Sequence, residues 1–502
     1  MSSDAPPLLA KTEAEIQFDE TRRKVGIVAG PLLFLLVLAW PFTSLTPEGH
    51  RLAAIMALVV VFWITEALPL AVTALMGPAL AVLLQVAPVG DTFRPFASPT
   101  IFLFIGSFIL AQALFVHRVN ERVAFGVLSM RIIGGRPTRI LIAYGVLAAF
   151  LSAWMSNTAT AAMLVPIGLS LIRFMEAEAD IPKKYGTALM LMTTYCCSRG
   201  GMATPVGTPP NLIAIGMIDE QLGVRITFVE WMLFSVPIML VLMLVVIAYL
   251  SWVGRTGVQV IPGIEKIIAE RKRALGPWKR GEVNAVIAFC VTVCLWVGPG
   301  LLVLVLGRDN EVARSVLASV PESVAALIGV VLLFLLPNSE TERSTITWRQ
   351  AAQIDWGTIL LFGGGLSLGA LTASSGLALV VAEGITGLVP TSDVVTLTFA
   401  AALFTVVLSE TMSNTAATNI AIPIVISIAQ VAGVSPMIPA VASALAASVA
   451  DALPVSTPPN AIVYASGRVT ITDMIKYGVL MDVIAVTLVP ALVLLIAPFF
   501  IG

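Results

Sequence analysis

Two short polar motifs occur at corresponding places in the two halves of this chain. The tripeptide Ser-Asn-Thr begins at Ser156 and again at Ser413, and the tetrapeptide Thr-Pro-Pro-Asn begins at Thr208 and again at Thr457. Serine and asparagine supply uncharged oxygens that suit a small hard cation, and their hydroxyl and amide hydrogens suit a carboxylate. The repeated pattern therefore predicts ion binding by neutral groups rather than bond-breaking chemistry.

The composition places both motifs in a polytopic helical membrane protein. Of the 502 residues, 58% are hydrophobic and 12% are charged, and the mean hydropathy is +0.96, whereas soluble domains carry about 25% charged residues. Long apolar segments recur along the chain, as expected for many transmembrane helices. The chain has a net charge of −1 and contains no basic domain, which excludes nucleic acid as a partner. Without a nucleotide-binding or protease pattern, we expect no enzyme, no catalytic residues and no organic cofactor.

The positive charges predict how the apolar stretches cross the membrane. Stretches 138–173 and 394–434 each have Ser-Asn-Thr at the middle, and a straight helix of that length would exceed the roughly 30 Å hydrocarbon core. Arginine and lysine flank the first stretch on both sides, whereas none occurs from 350 to 467. Because basic loops face the cytoplasm, we expect two re-entrant hairpins that open to opposite sides. The remaining segments predict eleven spans and a cytoplasmic N-terminus.

Each motif has a physical reason to bind an anion and a cation together. Ser and Asn at a hairpin tip cap the returning helix, whose free N–H groups and positive dipole end attract an anion. Two successive prolines forbid the interior of a helix, so they predict broken helices at 186–217 and 436–466 with carbonyls free for a cation. A single Ser-Asn-Thr would be interpreted as a helix cap. Two copies, each paired with Thr-Pro-Pro-Asn in oppositely oriented halves, favour a binding site.

These four motifs resemble those of the divalent anion:sodium symporters, the sodium-coupled dicarboxylate and citrate carriers, over nearly the whole chain from about residue 25. The opposed hairpins already imply inverted-topology repeats, and the resemblance implies an elevator mechanism and a homodimer embedded in membrane lipid. It implies one sodium site at Ser152, Ser156, Asn157 and Gly207, and a second at Ser409, Met412, Asn414 and Ser456. It implies substrate contacts from Asn157, Thr158, Thr208, Ser413, Asn414, Thr415, Thr457 and Pro458.

The resemblance also implies a division of the chain into scaffold and transport parts. We expect an all-α fold with eleven transmembrane helices and two opposed hairpins. The expected segments are a cytoplasmic tail (1–23), a first scaffold part (24–137), a first transport part with its hairpin and broken helix (138–252), a cytoplasmic loop (253–282), a second scaffold part (283–393) and a second transport part (394–502).

Two charged residues depart from the family pattern. Arg199 lies just before a Gly-Gly pair, and Asp451 lies in an apolar run ahead of the second Thr-Pro-Pro-Asn. Ionisable side chains within membrane spans are costly and mark functional sites unless they are paired. We favour a structural pair between Arg199 and Asp451 over a direct role in selecting the substrate, and both hypotheses remain open from the sequence.

The expected function is secondary transport of a C4-dicarboxylate or a related divalent anion, driven by co-transported sodium ions, with a small dianionic carboxylate as the expected partner. The preferred substrates are C4-dicarboxylates, carried across the plasma membrane, or the inner membrane of a bacterium. The alternative is a sodium-independent anion exchanger on the same fold, in which Arg199 supplies a fixed positive charge. A channel is disfavoured because nothing resembles a filter of carbonyl or charge rings.

Overall fold

A computed structural model describes residues 13–179, 181–307, 310–339, 343–386 and 393–501. These residues form 23 α-helices and two short 3-10 helices, at Arg94–Ala97 and Ala497–Phe499, and contain no β-strand. The predicted all-α class is therefore confirmed for this part of the chain. Most of the predicted tail, residues 1–12, lies outside the described residues.

The helices are numbered in chain order. Their bounds are α1 (Glu13–Ala39), α2 (Pro47–Thr65), α3 (Leu70–Leu83), α4 (Val89–Phe93), α5 (Pro99–Val116), α6 (Val119–Leu128), α7 (Pro137–Ser152), α8 (Asn157–Glu178), α9 (Lys183–Gly201), α10 (Pro209–Leu222), α11 (Phe228–Val253), α12 (Ile264–Ala274), α13 (Arg280–Leu306), α14 (Glu311–Ser319), α15 (Glu322–Leu335), α16 (Trp348–Ala351), α17 (Trp356–Ser374), α18 (Leu377–Thr386), α19 (Val394–Thr411), α20 (Asn414–Val431), α21 (Met437–Ala447), α22 (Pro458–Ala465) and α23 (Ile471–Ile496).

Nine helical segments of the described chain are long and apolar enough to cross a membrane. The number becomes ten if α14 and α15, which meet at 55°, form one span. Helices α8, α19 and α20, which belong to the expected hairpins, are among the nine. Of the pieces of the two expected broken helices, α10, α21 and α22 are too short to be counted one by one, and α9, with 19 residues, is long enough but not apolar enough. This count therefore includes hairpin helices and leaves out the pieces of the broken helices, whereas the predicted eleven spans do the reverse.

The two Ser-Asn-Thr stretches each form a pair of helices joined at the motif. Helices α7 and α8 are separated by residues 153–156, and α19 and α20 by residues 412–413. Ser156 caps α8 by accepting a hydrogen bond from the Ala159 N–H at 3.2 Å, and Ser413 caps α20 through Ala416 at the same distance. Each motif therefore lies at the N-terminus of a helix, where the first N–H groups have no partner within the helix.

The two Thr-Pro-Pro-Asn segments are each interrupted helices. Residues 202–208 separate α9 from α10, and residues 448–457 separate α21 from α22. The paired prolines occupy the first two positions of α10 and α22 rather than the irregular segment. Proline is tolerated there because the first N–H groups of a helix have no intrahelical partner.

One asparagine side chain closes each interruption in the same way. Asn211 Nδ2 donates to the carbonyls of Gly201 and Thr204, at 2.9 and 2.7 Å. Asn460 Nδ2 donates to the carbonyls of Ala450 and Leu453, at 3.2 and 3.0 Å. Both amides are buried, so each supplies hydrogen bonds that the broken backbone cannot make for itself.

The halves of the chain interlock around these interruptions. Helix α8 packs on α22, and α10 packs on both α20 and α21, so the second helix of each interrupted pair contacts the opposite half. Every residue of α9 from Tyr185 to Gly201 is buried. Exposed leucine and valine side chains instead line α11, α13 and α23. The candidate motifs therefore lie in the interior of the helical assembly.

The amide bridges generate a stability prediction. We expect Asn211→Ala and Asn460→Ala each to lower the unfolding temperature of the purified protein in detergent by several degrees. The reason is that a buried carbonyl left short of a donor costs about 1–3 kcal/mol. Gln430→Ala, which removes an exposed amide from α20, is the matched control and should have almost no effect. Equal unfolding temperatures for all three variants would contradict the bridging role.

Candidate functional site

The first half-site gathers the Asn157 side chain, the end of α9 and the Thr208 backbone turn. Ser152 Oγ donates to Asn157 Oδ1 at 2.6 Å. A Cβ on Gly201 would lie 2.6 Å from the same Oδ1 and 3.1 Å from Thr208 Cβ. The first hairpin tip and the first helix interruption are therefore in direct contact, as a shared ion site requires.

Gly207 lies in the same contact because a larger residue would not fit. A Cβ at this position would be 2.5 Å from the Gly201 carbonyl oxygen and 3.1 Å from that of Ala153. Thr204 Oγ1 also donates to the Ala153 carbonyl at 2.5 Å. Two main-chain oxygens, those of Gly201 and Ala153, thus lie next to Gly207, and carbonyl oxygens are the ligand type that a hard cation prefers.

The second half-site repeats this arrangement around Ser409. Its Oγ is 2.7 Å from Asn414 Oδ1 and 2.7 Å from the Ala447 carbonyl oxygen. A serine hydroxyl has one hydrogen, so it can donate to only one of these two acceptors at a time. The excess of oxygens over hydrogens at a buried position suits a small cation.

The remaining members of the second half-site lie on the second interruption and at the end of α19. Ser456 Oγ donates to the Leu453 carbonyl at 2.6 Å, and Thr457 Oγ1 accepts from the Asn460 N–H at 3.2 Å. Met412 is buried and extended, with φ −147° and ψ 178°. The extended backbone ends α19 just before the second tip.

The expected substrate residues retain unused donors. Ser152 and Ser409 occupy the Oδ1 atoms of Asn157 and Asn414, whereas the two Nδ2 groups have no hydrogen-bond partner in the described part of the chain. Neutral amide hydrogens at a helix N-terminus are good partners for a carboxylate. Exposure differs among the others, with Thr158 and Pro458 exposed, Ser413 and Thr415 half-buried, and Thr208 and Thr457 buried.

The two halves of the site are joined by a hydrogen bond. Thr194 of α9 donates its hydroxyl to Asn460 Oδ1, the free oxygen of the amide that closes the second interruption. The α8 helix, which begins at Asn157, packs against α22 of the second half. The first hairpin and the second interruption are therefore neighbours.

Arg199 and Asp451 form a buried ion pair between the two interruptions. Arg199 Nη1 donates to Asp451 Oδ1 at 2.8 Å, and Nη2 lies 2.5 Å from Oδ2 as an ion-pair contact. The two side chains are 1% and 0% exposed. Two consecutive main-chain N–H groups donate to further acidic side chains. The Asp451 N–H donates to Asp482 Oδ1 at 3.1 Å, and the Ala452 N–H donates to Glu410 Oε1 at 3.0 Å. Arg199 is thus engaged by a carboxylate and does not present a free charge to an anion.

Some residues of this region were not singled out as site residues by the sequence analysis. The sequence shows Asn211 and Asn460 only as the last residue of each Thr-Pro-Pro-Asn motif. Nothing local indicates which carbonyls their side chains reach. Asp482 lies in the interior of the apolar helix α23, and the rule for acidic residues within membrane spans would have found it. Glu410 lies next to the second Ser-Asn-Thr motif, and the rule for acidic residues within membrane spans would have found it as well.

Solved structures share this fold at low sequence identity. The YdaH transporter of Alcanivorax borkumensis matches with a TM-score of 0.55 and 16% identity, over 96% of this chain and 97% of that chain. MtrF of Neisseria gonorrhoeae, described among antimetabolite efflux pumps, matches with a TM-score of 0.58 and 13% identity, over 92% and 97%. At such identities the likeness concerns the fold alone.

Sequence relatives are more informative. The sodium-dependent dicarboxylate transporter SdcS of Staphylococcus saprophyticus is 32% identical over 497 residues, covering 95% of this chain and 92% of the relative. SdcS of Staphylococcus aureus strain bovine RF122 is 32% identical over 488 residues, with the same coverage. All of these proteins are transporters, which confirms that the chain is not an enzyme. The family model described as the sodium:sulfate symporter transmembrane region matches residues 22–499. The resemblance to divalent anion:sodium symporters is thereby confirmed, and the chain belongs to this sodium:sulfate symporter family.

Proposed function

We propose that this integral membrane protein is a sodium-coupled symporter of C4-dicarboxylates in the plasma membrane. The observation that carries the proposal is the duplicated tip, in which a serine hydroxyl holds the asparagine Oδ1 and leaves Nδ2 without a partner. One face of each asparagine thereby offers oxygen to a cation, and the other offers hydrogen to an anion. The staphylococcal relatives, described as sodium-dependent dicarboxylate transporters, support the same substrate class.

Sodium in this proposal is held by uncharged oxygens. Ser152, Ser156, Asn157 and Gly207 bind one ion, and Ser409, Met412, Asn414 and Ser456 bind the other, with carbonyl groups completing each set. The convergence of main-chain oxygens around Gly207 and the acceptor surplus at Ser409 support this assignment. Because a bound cation reduces the cost of bringing a dianion nearby, cation and substrate should stabilise each other.

The dicarboxylate in this proposal spans the two tips. One carboxylate meets Asn157, Thr158 and Thr208, and the other meets Ser413, Asn414, Thr415, Thr457 and Pro458. Both tips begin a helix, so main-chain N–H groups and the helix dipole add to the side-chain donors. Charge on the substrate is thus balanced by sodium and by dipoles rather than by arginine.

The wider architecture in this proposal follows the expectations from the positive charges and from the resemblance. We propose inverted repeats with a cytoplasmic N-terminus, eleven spans and two opposed hairpins, in a homodimer embedded in lipid. The scaffold parts (24–137 and 283–393) stay fixed while the transport parts (138–252 and 394–502) move as an elevator. The packing of α8 on α22 and of α10 on α20 supports a single moving body.

The proposal predicts sodium-dependent uptake in proteoliposomes. Labelled succinate should enter roughly 5–150-fold faster with an inward sodium gradient than with choline, the usual range of coupling between linked sites. Asn157→Ala and Asn414→Ala should each reduce this uptake to background, because each change removes a cation ligand and an anion donor together. Their unfolding temperatures should stay near that of the wild type.

The matched control is Asn310→Ala, which removes the cap of α14 away from the candidate site and should leave uptake intact. Equal uptake in sodium and choline would contradict symport and favour the exchanger. Near-normal kinetics of succinate uptake in Asn157→Ala or Asn414→Ala would show that Ser-Asn-Thr only caps its helix.

The buried ion pair predicts a non-additive double-mutant cycle. Arg199→Ala or Asp451→Ala alone should be strongly destabilising, by about 3–5 kcal/mol, since each leaves an uncompensated buried charge. The double variant should recover part of that loss, in both unfolding temperature and uptake. If Arg199 instead binds the substrate, its loss should raise KM and removal of Asp451 should not compensate.

Arg468 and Glu176 provide the control for this cycle. They form an ion pair at the comparable distance of 2.6 Å but are 29% and 30% exposed. Their alanine variants should change stability by no more than about 1 kcal/mol. Strictly additive losses at Arg199 and Asp451 would overturn the structural pairing.

A further inference from the structure

A cavity of about 840 Å³ lies beside α8, outside the candidate site. Its walls come from the ends of α5 and α6, the exposed side of α8, the amphipathic helix α12 and the turn at Gln353. We call this cavity the α8 crevice. None of its lining residues belongs to either half-site, so its role is a separate question.

The α8 crevice is a continuation of the helix face that begins at the first tip. Thr158, Ala162, Pro166 and Ser170 are all exposed and occur at every fourth position, which places neighbouring members on one side of a helix. The last three line the α8 crevice, and Thr158 is an expected substrate contact. From Thr158 to Ser170 the helix extends about 18 Å at 1.5 Å per residue. A small anion leaving the tip along this face must pass through the crevice.

The polar lining has the chemistry of a carboxylate site. Asn120 is 4% exposed, and its Oδ1 has no hydrogen-bond partner among the residues that the structure describes. Gln112 and Gln353 add two further side-chain amides. Oδ1 is an acceptor, which a carboxylate cannot satisfy, but the amide hydrogens of Asn120, Gln112 and Gln353 can each donate to a carboxylate.

The charge of the α8 crevice favours an anion. Arg118 is neutralised by Glu121 through two hydrogen bonds of 2.8 and 2.6 Å. Arg271 of α12 also lines the cavity and has no ion pair in the described part of the chain. The lining thus carries one uncompensated positive charge, and a guanidinium binds a carboxylate bidentately.

We propose that the α8 crevice is a transient binding site for the transported dicarboxylate, with Arg271 and Asn120 as specificity-determining residues. This inference rests on the proposed function and adds a second, weaker site on the same route. The α8 crevice lies on the side of the protein that carries the 253–282 loop, and the positive charges predict that this side is cytoplasmic. Substrate approaching from that face is concentrated by Arg271 before it reaches Thr158.

The test compares succinate transport from the two faces of the membrane. In inside-out and right-side-out vesicles with a sodium gradient, Arg271→Gln should raise KM roughly threefold to tenfold, as an exposed charge contact of about 1 kcal/mol allows. The rise should appear only for succinate presented on the face of the 253–282 loop, with kcat unchanged. The matched control is Arg273→Gln, which is also exposed on α12 but does not line the cavity.

A second variant separates binding from folding. Asn120→Leu removes a buried amide whose oxygen has no partner, so the unfolding temperature should stay the same or rise while KM rises on the same face. A merely structural role for Asn120 would instead lower the unfolding temperature and leave KM unchanged, which would overturn its assignment.

Three results would overturn the α8 crevice as an anion site. Arg271→Gln could give the same KM as Arg273→Gln, or it could raise the KM for succinate equally from both faces of the membrane. Its effect could also vanish after reconstitution in phosphatidylcholine alone, which would show that an anionic lipid occupies the crevice. Absence of sodium-driven uptake in the wild type is a different failure, because it would remove the proposed function itself.

Discussion

The structure depends on how a helix can be interrupted in the buried interior of a membrane protein without leaving its backbone unsatisfied. Hydrocarbon supplies no water, so every freed carbonyl needs a partner from the protein. Asn211 and Asn460 solve this identically, each donating both amide hydrogens to the two carbonyls at matching positions of its interruption. The prolines then begin the next helix, where a missing N–H costs little.

These closed interruptions create the surface on which the tips can pack. Gly201 and Gly207 let the first tip approach within contact distance, and Ser409 draws Asn414 towards the end of α21. The buried pair of Arg199, in the last turn of α9, and Asp451, in the second interruption, joins the two halves of the chain. We propose that these contacts hold the two uncharged half-sites together, whereas either Ser-Asn-Thr alone would be only a helix cap.

Much of this arrangement could be predicted from the sequence, and the limits have physical causes. The duplicated motifs predicted both tips and both interruptions, because proline and the Ser-Asn pair have local backbone consequences. The partners of Asn211 and Asn460 could not be predicted, since an asparagine reaches carbonyls through tertiary packing that no local pattern encodes. Arg199 and Asp451 were recognised as a candidate pair from the cost of burial, but Asp482 and Glu410 were not connected to them. The α8 crevice could not be predicted because its walls come from four separated stretches of the chain.

The central claim is that sodium and the dicarboxylate share the two tips and stabilise each other's binding. Equilibrium binding of labelled succinate to the purified protein in detergent tests this without transport. The dissociation constant should fall as sodium rises at constant ionic strength, and succinate should increase sodium affinity by the same factor. A dissociation constant that is identical in sodium and choline would contradict the shared site.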